Sequence, residues 1–139
     1  MKILKNLEEF ETHHKILFFL IVMILTIFIT RGIILIKNPN PAIAGFELHH
    51  FDYGLILLIL SFLLLVFSKT RKKVHLILGA IAIGLIVDDI WFIRKSVLEN
   101  QSTQTAIYNS TFSSVLILTI IITLILFLIN HYSYKKKKY

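Results

Sequence analysis

The sequence contains no cysteine and only two prolines in 139 residues. The lack of cysteine excludes disulfides, thiolate metal sites and cysteine nucleophiles, so any metal ion must be held by imidazole nitrogen and oxygen. Both prolines fall in the segment Asn-Pro-Asn-Pro, residues 38–41, and the long apolar runs are therefore free of helix breakers. Acidic residues are also scarce, because only eight stand against fifteen lysines and arginines.

Apolar residues dominate what is present. The hydrophobic fraction is 56% and the mean hydropathy is +0.78, which is more apolar surface than a small soluble domain can bury. Four apolar runs, at about 16–36, 46–68, 74–94 and 112–130, each approach the roughly 20 residues that a membrane-spanning helix needs. The sequence therefore predicts a single all-α domain, a polytopic membrane protein built as a bundle of four transmembrane helices in the lipid bilayer.

The positive charges predict the orientation of these helices. The net charge of +7 comes from short clusters between apolar runs, a pattern that argues against nucleic acid as a partner. The segments that flank the helices form two sets, one on each side of the membrane. One set carries eleven lysines and arginines and the other carries three. Because these residues are enriched in cytoplasmic loops, the set with eleven is predicted to be cytoplasmic. This arrangement predicts a multi-pass protein of the cell membrane with both termini in the cytoplasm. The eleven are Lys2, Lys5, Lys15, Lys69, Arg71, Lys72, Lys73 and Lys135 to Lys138.

The predicted outer loop 94–111 carries two tripeptides of the N-glycosylation type, at Asn100 and Asn109. Such tripeptides also arise by chance. Their position on the predicted external side is consistent with the charge rule.

Ionisable residues from three predicted helices fall at a similar depth. Arg31 lies near the outer end of the first helix, and Asp88 and Asp89 lie near the outer end of the third. At 1.5 Å per residue all three are roughly 7–8 Å below the outer boundary. Charged groups at membrane depth are rare and usually functional. We therefore expect a site in this layer, facing outward.

The second helix contributes the potential metal ligands. If it begins near residue 46, Glu47, His50 and Gly54 share one face, and Glu-x-x-His spacing lets a carboxylate and an imidazole reach one metal ion, as in carboxylate-bridged bundles. Ala80, Gly84 and Asp88 recur every four residues on the third helix and predict a close packing face. The predicted roles are metal ligands (Glu47, His50, Asp88), acid–base groups (His49, Asp89) and structural, charge-balancing groups (Arg31, Asp52).

Nitrogen and oxygen ligands suit zinc, iron, manganese or copper(II). The main hypothesis is a metal-binding membrane protein, and a catalytic version would act on an apolar or lipid-derived molecule from the outer leaflet. One alternative is a purely structural network in which Arg31 pairs with Asp88 or Asp89. A second is a non-catalytic subunit of a larger membrane complex such as an oxidoreductase, and a third is transport. Four helices enclose little volume, so a homo-oligomer or a larger complex is expected.

Two segments carry a resemblance. Glu47-Leu-His-His-Phe-Asp-Tyr-Gly54 and Gly84-Leu-Ile-Val-Asp-Asp89 resemble a pattern in small four-helix membrane proteins of bacteria and archaea. That pattern is a His-His pair with glycine four positions on, followed by a glycine-rich helix ending in Asp-Glu or Asp-Asp. This sequence has Asp89 where glutamate is commoner and Glu47 where histidine often stands. The resemblance implies a shared site on helices two and three without naming its chemistry.

Overall fold

The computed structural model describes residues 14–36, 42–43, 46–67, 72–98 and 104–136. They form four long helices: α1 (Lys15–Ile36), α2 (His50–Phe67), α3 (Lys72–Leu98) and α4 (Gln104–Lys136). Each contains a stretch long and apolar enough to cross a membrane, the shortest being the 18 residues of α2. The predicted all-α fold with four membrane-spanning helices is confirmed, and the chain is a multi-pass membrane protein.

The helices differ from the predicted bounds mainly at their ends. Helices α3 and α4 extend past the predicted limits, to Leu98 and from Gln104 to Lys136. The predicted start of the second helix near residue 46 is wrong, because α2 begins at His50. The chain before it forms a small antiparallel hairpin of β1 (Ala42–Ile43) and β2 (Phe46–Glu47), with Ala42 opposite Glu47 and Ile43 opposite Phe46. Glu47 is therefore on a strand, and it does not share a helical face with His50 and Gly54.

Helix α3 is the centre of the bundle. It packs against the other three helices, whereas α2 has little contact with α1 or α4 in the described residues. Half of the α3 span is buried, compared with 22% for α1, 11% for α2 and 6% for α4. The outer three helices expose many leucine, isoleucine and phenylalanine side chains. A bilayer covers such a surface at no hydrophobic cost.

Small residues on α3 allow the close helix contacts. A Cβ added to Gly84 would lie 2.9 Å from the Met23 carbonyl oxygen on α1. Gly54 on α2 meets α3 in the same way, because its added Cβ would lie 3.0 Å from the Ala82 carbonyl oxygen. Ala80 packs with Leu20 and Met23 in an apolar cluster. The predicted line of Ala80, Gly84 and Asp88 thus lies against α1.

The contacts also fix the directions of the helices. Ile27 of α1, Val87 of α3 and Val115 of α4 form one buried cluster, and Ser61 of α2 meets His75 of α3 at the other end of the bundle. Helices α1 and α3 are therefore parallel to each other and antiparallel to α2 and α4. We call the end with Arg31, Asp88 and the start of α2 the site end, and the end with Ser61 and His75 the opposite end.

Candidate functional site

Asp88 binds α1 through both of its carboxylate oxygens. The side chain is fully buried, and its Oδ1 accepts a hydrogen bond from Nε of Arg31 at 2.5 Å in an ion pair. Its Oδ2 accepts from the Thr30 hydroxyl at 3.0 Å. Burying a carboxylate is costly unless it is paired and hydrogen-bonded, and here both conditions are met. Asp88 therefore links α3 to α1 through an ion pair and a hydrogen bond.

Arg31 extends this contact to a third helix. Its side chain is 12% exposed, and its Cζ lies 5.1 Å from the centre of the Phe112 ring on α4. A guanidinium over an aromatic face is attracted by the ring quadrupole, the more so where water is excluded. One arginine thus links α1, α3 and α4.

Asp89, the next residue, faces a different helix. It too is fully buried, and its Oδ2 accepts a hydrogen bond from the Phe51 backbone N–H at 3.0 Å. Phe51 is in the first turn of α2, where backbone N–H groups have no partner within the helix and the helix dipole favours negative charge. Asp89 of α3 therefore serves as an N-terminal cap for α2. The two adjacent aspartates join α3 to α1 and α2 respectively.

His49 and Asp52 complete the start of α2. Oδ2 of Asp52 accepts a hydrogen bond from the His49 backbone N–H at 2.9 Å, and the His49 carbonyl accepts from the Asp52 N–H at 3.0 Å. This reciprocal pair resembles the second half of a capping box, with His49 at the N-cap position. The His49 ring lies 5.5 Å from the ring of Phe92 on α3. These contacts hold the His49 ring against α3 one turn from Asp89.

His50 is the first residue of α2 and directly precedes the Phe51 N–H that binds Asp89. Its Nδ1 atom is buried and has no hydrogen-bond partner within the described part of the chain. Buried polar atoms without a hydrogen-bond partner are uncommon in native proteins, because burial without a bond costs free energy.

The structure thus brings together most of the residues that the sequence predicted for the site. Arg31, Asp88, Asp89 and the start of α2 lie in one layer. The Glu47 backbone is in β2, three residues before His50, and its side chain lies outside the described residues. Asp88 is engaged with Arg31 and Thr30, so its predicted role as a metal ligand competes with these bonds. In the ranges described, no three histidine or carboxylate side chains are grouped as a metal site.

Several participants were not predicted from the sequence. Thr30, Phe112 and the Phe51 backbone N–H all contact the charged residues. Thr30 could have been found from its place beside Arg31 in an otherwise apolar run. Backbone capping by Asp89 required knowing where α2 begins.

The predicted glycosylation sites fall in different parts of the chain. Asn109 is exposed in the second turn of α4, whereas Asn100 lies outside the described residues. Attachment of a glycan at either asparagine stays a prediction.

The fold and this layer define a class of protein: a four-helix membrane protein with a buried ionic layer at one end of the bundle. Comparison of the chain with family models, curated proteins and solved structures gave no match.

Proposed function

We propose that this protein binds a cation at the external end of its bundle, with both of its termini in the cytoplasm of the cell. The orientation is supported by the lysine and arginine distribution, since the flanks at the opposite end carry most of these residues. The site end, with Asp88, Asp89 and the histidine pair, then faces outward.

The observation that carries the proposal is the charge balance of the buried layer. Two fully buried carboxylates, Asp88 and Asp89, lie in the same layer as the guanidinium of Arg31, whose side chain is 12% exposed. The dipole of α2 compensates Asp89 in part, because a helix N-terminus is equivalent to about half a positive charge. With neutral histidines, Asp88, Asp89 and Arg31 taken together have two formal negative charges and one positive charge. A bound cation completes the neutralisation that burial in a membrane demands.

We propose a different set of metal ligands from the one that the sequence predicted. We assign Asp88 and Arg31 a structural role, the ion pair between α1 and α3. Asp89 and His50 become the principal ligands, and Glu47 stays a prediction from the sequence, because the helical spacing that suggested it is absent. The His49 ring packs against the Phe92 ring, and we propose that His49 is an acid–base group next to the cation. Imidazole and carboxylate together suit a divalent zinc, iron, manganese or copper ion.

Metal analysis of purified protein tests the proposal. We expect wild type to retain about one divalent ion per chain, as zinc-like sites with several protein ligands do, and to unfold at a higher temperature when that ion is added. His50→Ala and Asp89→Asn should each lose both properties. His131→Ala is the matched control, because His131 is exposed at the opposite end of α4. Equal metal content in all four proteins would refute the cation site.

A second candidate is a non-catalytic structural subunit. It is favoured by the observation that Asp88 and Asp89 both bond to neighbouring helices, and by the limited packing of α2, which lies mainly on α3. In this proposal the exposed side of α2 packs against a larger membrane protein or a second copy of the chain. Native mass spectrometry of protein extracted with its surrounding lipid tests this. A species of 16.1 kDa alone would contradict it, and a larger complex would support it.

A further inference from the structure

The opposite end of the bundle is strongly basic. The flanks at that end carry eleven of the fifteen lysines and arginines, against only three acids, Glu8, Glu9 and Glu11. The acids within the four described helices all belong to the site end, and they are Asp52, Asp88 and Asp89. The helices therefore do not neutralise the positive charge at the opposite end, and this charge is separate from the proposed cation site.

The packing of α1 on α3 brings lysines from both helices to the same level. Asp88 of α3 bonds to two α1 residues that precede it by 58 and 57 positions. A similar offset holds further along the bundle, where Met23 of α1 packs with Ala80 of α3. Because the two helices are parallel, this offset continues to their starts. It places Lys15 of α1 level with the two lysines at positions 72 and 73 of α3.

These three lysines lie at the ends of the membrane-spanning segments. Lys15 is exposed and is the first residue of the α1 span, and Lys72 and Lys73 directly precede the α3 span, which begins at Val74. The axes of packed helices are roughly 8–10 Å apart, so the three lysine backbones are close neighbours. We call Lys15, Lys72 and Lys73 the basic face. It lies where the hydrocarbon core ends and the headgroup layer begins.

We propose that the basic face binds the headgroup of an anionic phospholipid in the leaflet at the opposite end. The depth of the face favours a lipid over a soluble acidic protein or a nucleic acid, because the headgroup layer occupies the level of the three lysines. Each lysine near an anionic membrane surface contributes roughly a fivefold factor in binding. In the proposed orientation this leaflet is the cytoplasmic one, which carries anionic lipids.

Helix α4 adds two lysines that lie further from the membrane. Its span ends at Ile129, and Lys135 and Lys136 follow in the same helix, about 9–10 Å beyond the span at 1.5 Å per residue. This distance is comparable with the screening length of about 10 Å at 0.1 M salt. These two lysines therefore contribute less than the basic face, and the test is directed at the basic face.

Native mass spectrometry of the full chain with added lipid tests the proposal. Protein in a neutral detergent is titrated with phosphatidylglycerol and, separately, with phosphatidylcholine. A chelator is present throughout, so that no divalent ion can bridge lipid and protein. We expect wild type to bind phosphatidylglycerol at least about tenfold more tightly than phosphatidylcholine, and we expect this preference to fall as the salt concentration is raised.

Single charges on the basic face should account for this preference. Lys15→Gln should lower the preference about fivefold, and the double variant Lys72→Gln/Lys73→Gln should lower it further, whereas Lys15→Arg should keep it. Because Lys15 is exposed, Lys15→Gln should unfold at the wild-type temperature in neutral detergent. The matched control is Lys95→Gln, which removes the same charge from the site end of α3 and should keep the preference.

Equal affinities of wild type for the two lipids would overturn the proposal. A preference that Lys15→Gln and the double variant both retain would also overturn it, as would one that Lys95→Gln loses to the same extent. The chelator removes any contribution of the proposed cation at the site end. This test and the metal analysis can therefore fail separately.

Discussion

Asp88 and Arg31 form an ion pair. The loss of stability on disrupting it should depend on whether one partner or both are replaced. Removing one partner leaves an uncompensated charge, which typically costs about 3–5 kcal/mol, whereas replacing both by apolar residues of similar volume is often tolerated. We therefore expect Asp88→Leu and Arg31→Met each to lower the free energy of unfolding by about that amount. The double variant should lose less than the sum of the two. Reversible unfolding in mixed micelles measures all four proteins, and additive losses would show that the pair is not coupled.

Asp89 has two proposed roles: it caps the N-terminus of α2, and its negative charge binds the cation. Two substitutions test these roles separately. Asp89→Leu removes the acceptor for the Phe51 N–H, and loss of an N-terminal cap costs about 0.5–2 kcal/mol. We expect amide exchange in the first turn of α2 to become roughly tenfold faster, since 1.4 kcal/mol is a factor of ten. Asp89→Asn keeps a side-chain oxygen and should retain slow exchange while losing the bound cation. Hydrogen exchange by mass spectrometry would contradict the cap if the leucine variant exchanged like wild type.

At the scale of the helices, the sequence predicted the four apolar elements well because hydrophobic length is a direct requirement of the bilayer. It failed at the start of α2. Hydropathy continues through Phe46 and Leu48, whereas the boundary at His49 is set by local hydrogen bonds to Asp52 and by Asp89 from another helix. The hairpin before α2 follows the two prolines, which disfavour helix without predicting what replaces it. A boundary that depends on a tertiary contact cannot be read from periodicity.

The glycines provide a matched test of helix packing. Gly54 and Gly84 lie at close crossings, whereas Gly32 on α1 has open space where a Cβ would go. In a helix, alanine is favoured over glycine by roughly 0.5–1 kcal/mol, so Gly32→Ala should be neutral or slightly stabilising. Gly54→Ala and Gly84→Ala should be destabilising by about 1–3 kcal/mol, because each methyl group meets backbone of the neighbouring helix. Thermal unfolding of the three variants checks this, and equal midpoints would refute the close crossings.

For the molecule as a whole, the depth of the charged residues could be predicted, but their pairing could not. Counting residues from the ends of the predicted helices placed Arg31, Asp88 and Asp89 in one layer, and the structure brings them together. Which aspartate meets Arg31 depends on where α1 and α2 sit around α3. The tight contact at Gly84 sets the position of α1, and the contact at Gly54 sets that of α2. Two adjacent aspartates about 100° apart on a helix then face different neighbours.

The orientation in the membrane can be tested on a single helix. Asn109 and His131 are exposed near the two ends of α4, and their separation of 22 positions corresponds to about 33 Å at 1.5 Å per residue. We expect Asn109→Cys to react with a membrane-impermeant maleimide on intact cells, and His131→Cys to react only after permeabilisation. The native chain needs no cysteine removed before labelling. Labelling in the reverse order would place the ionic layer on the cytoplasmic side, and the cation would then have to enter from the cytoplasm.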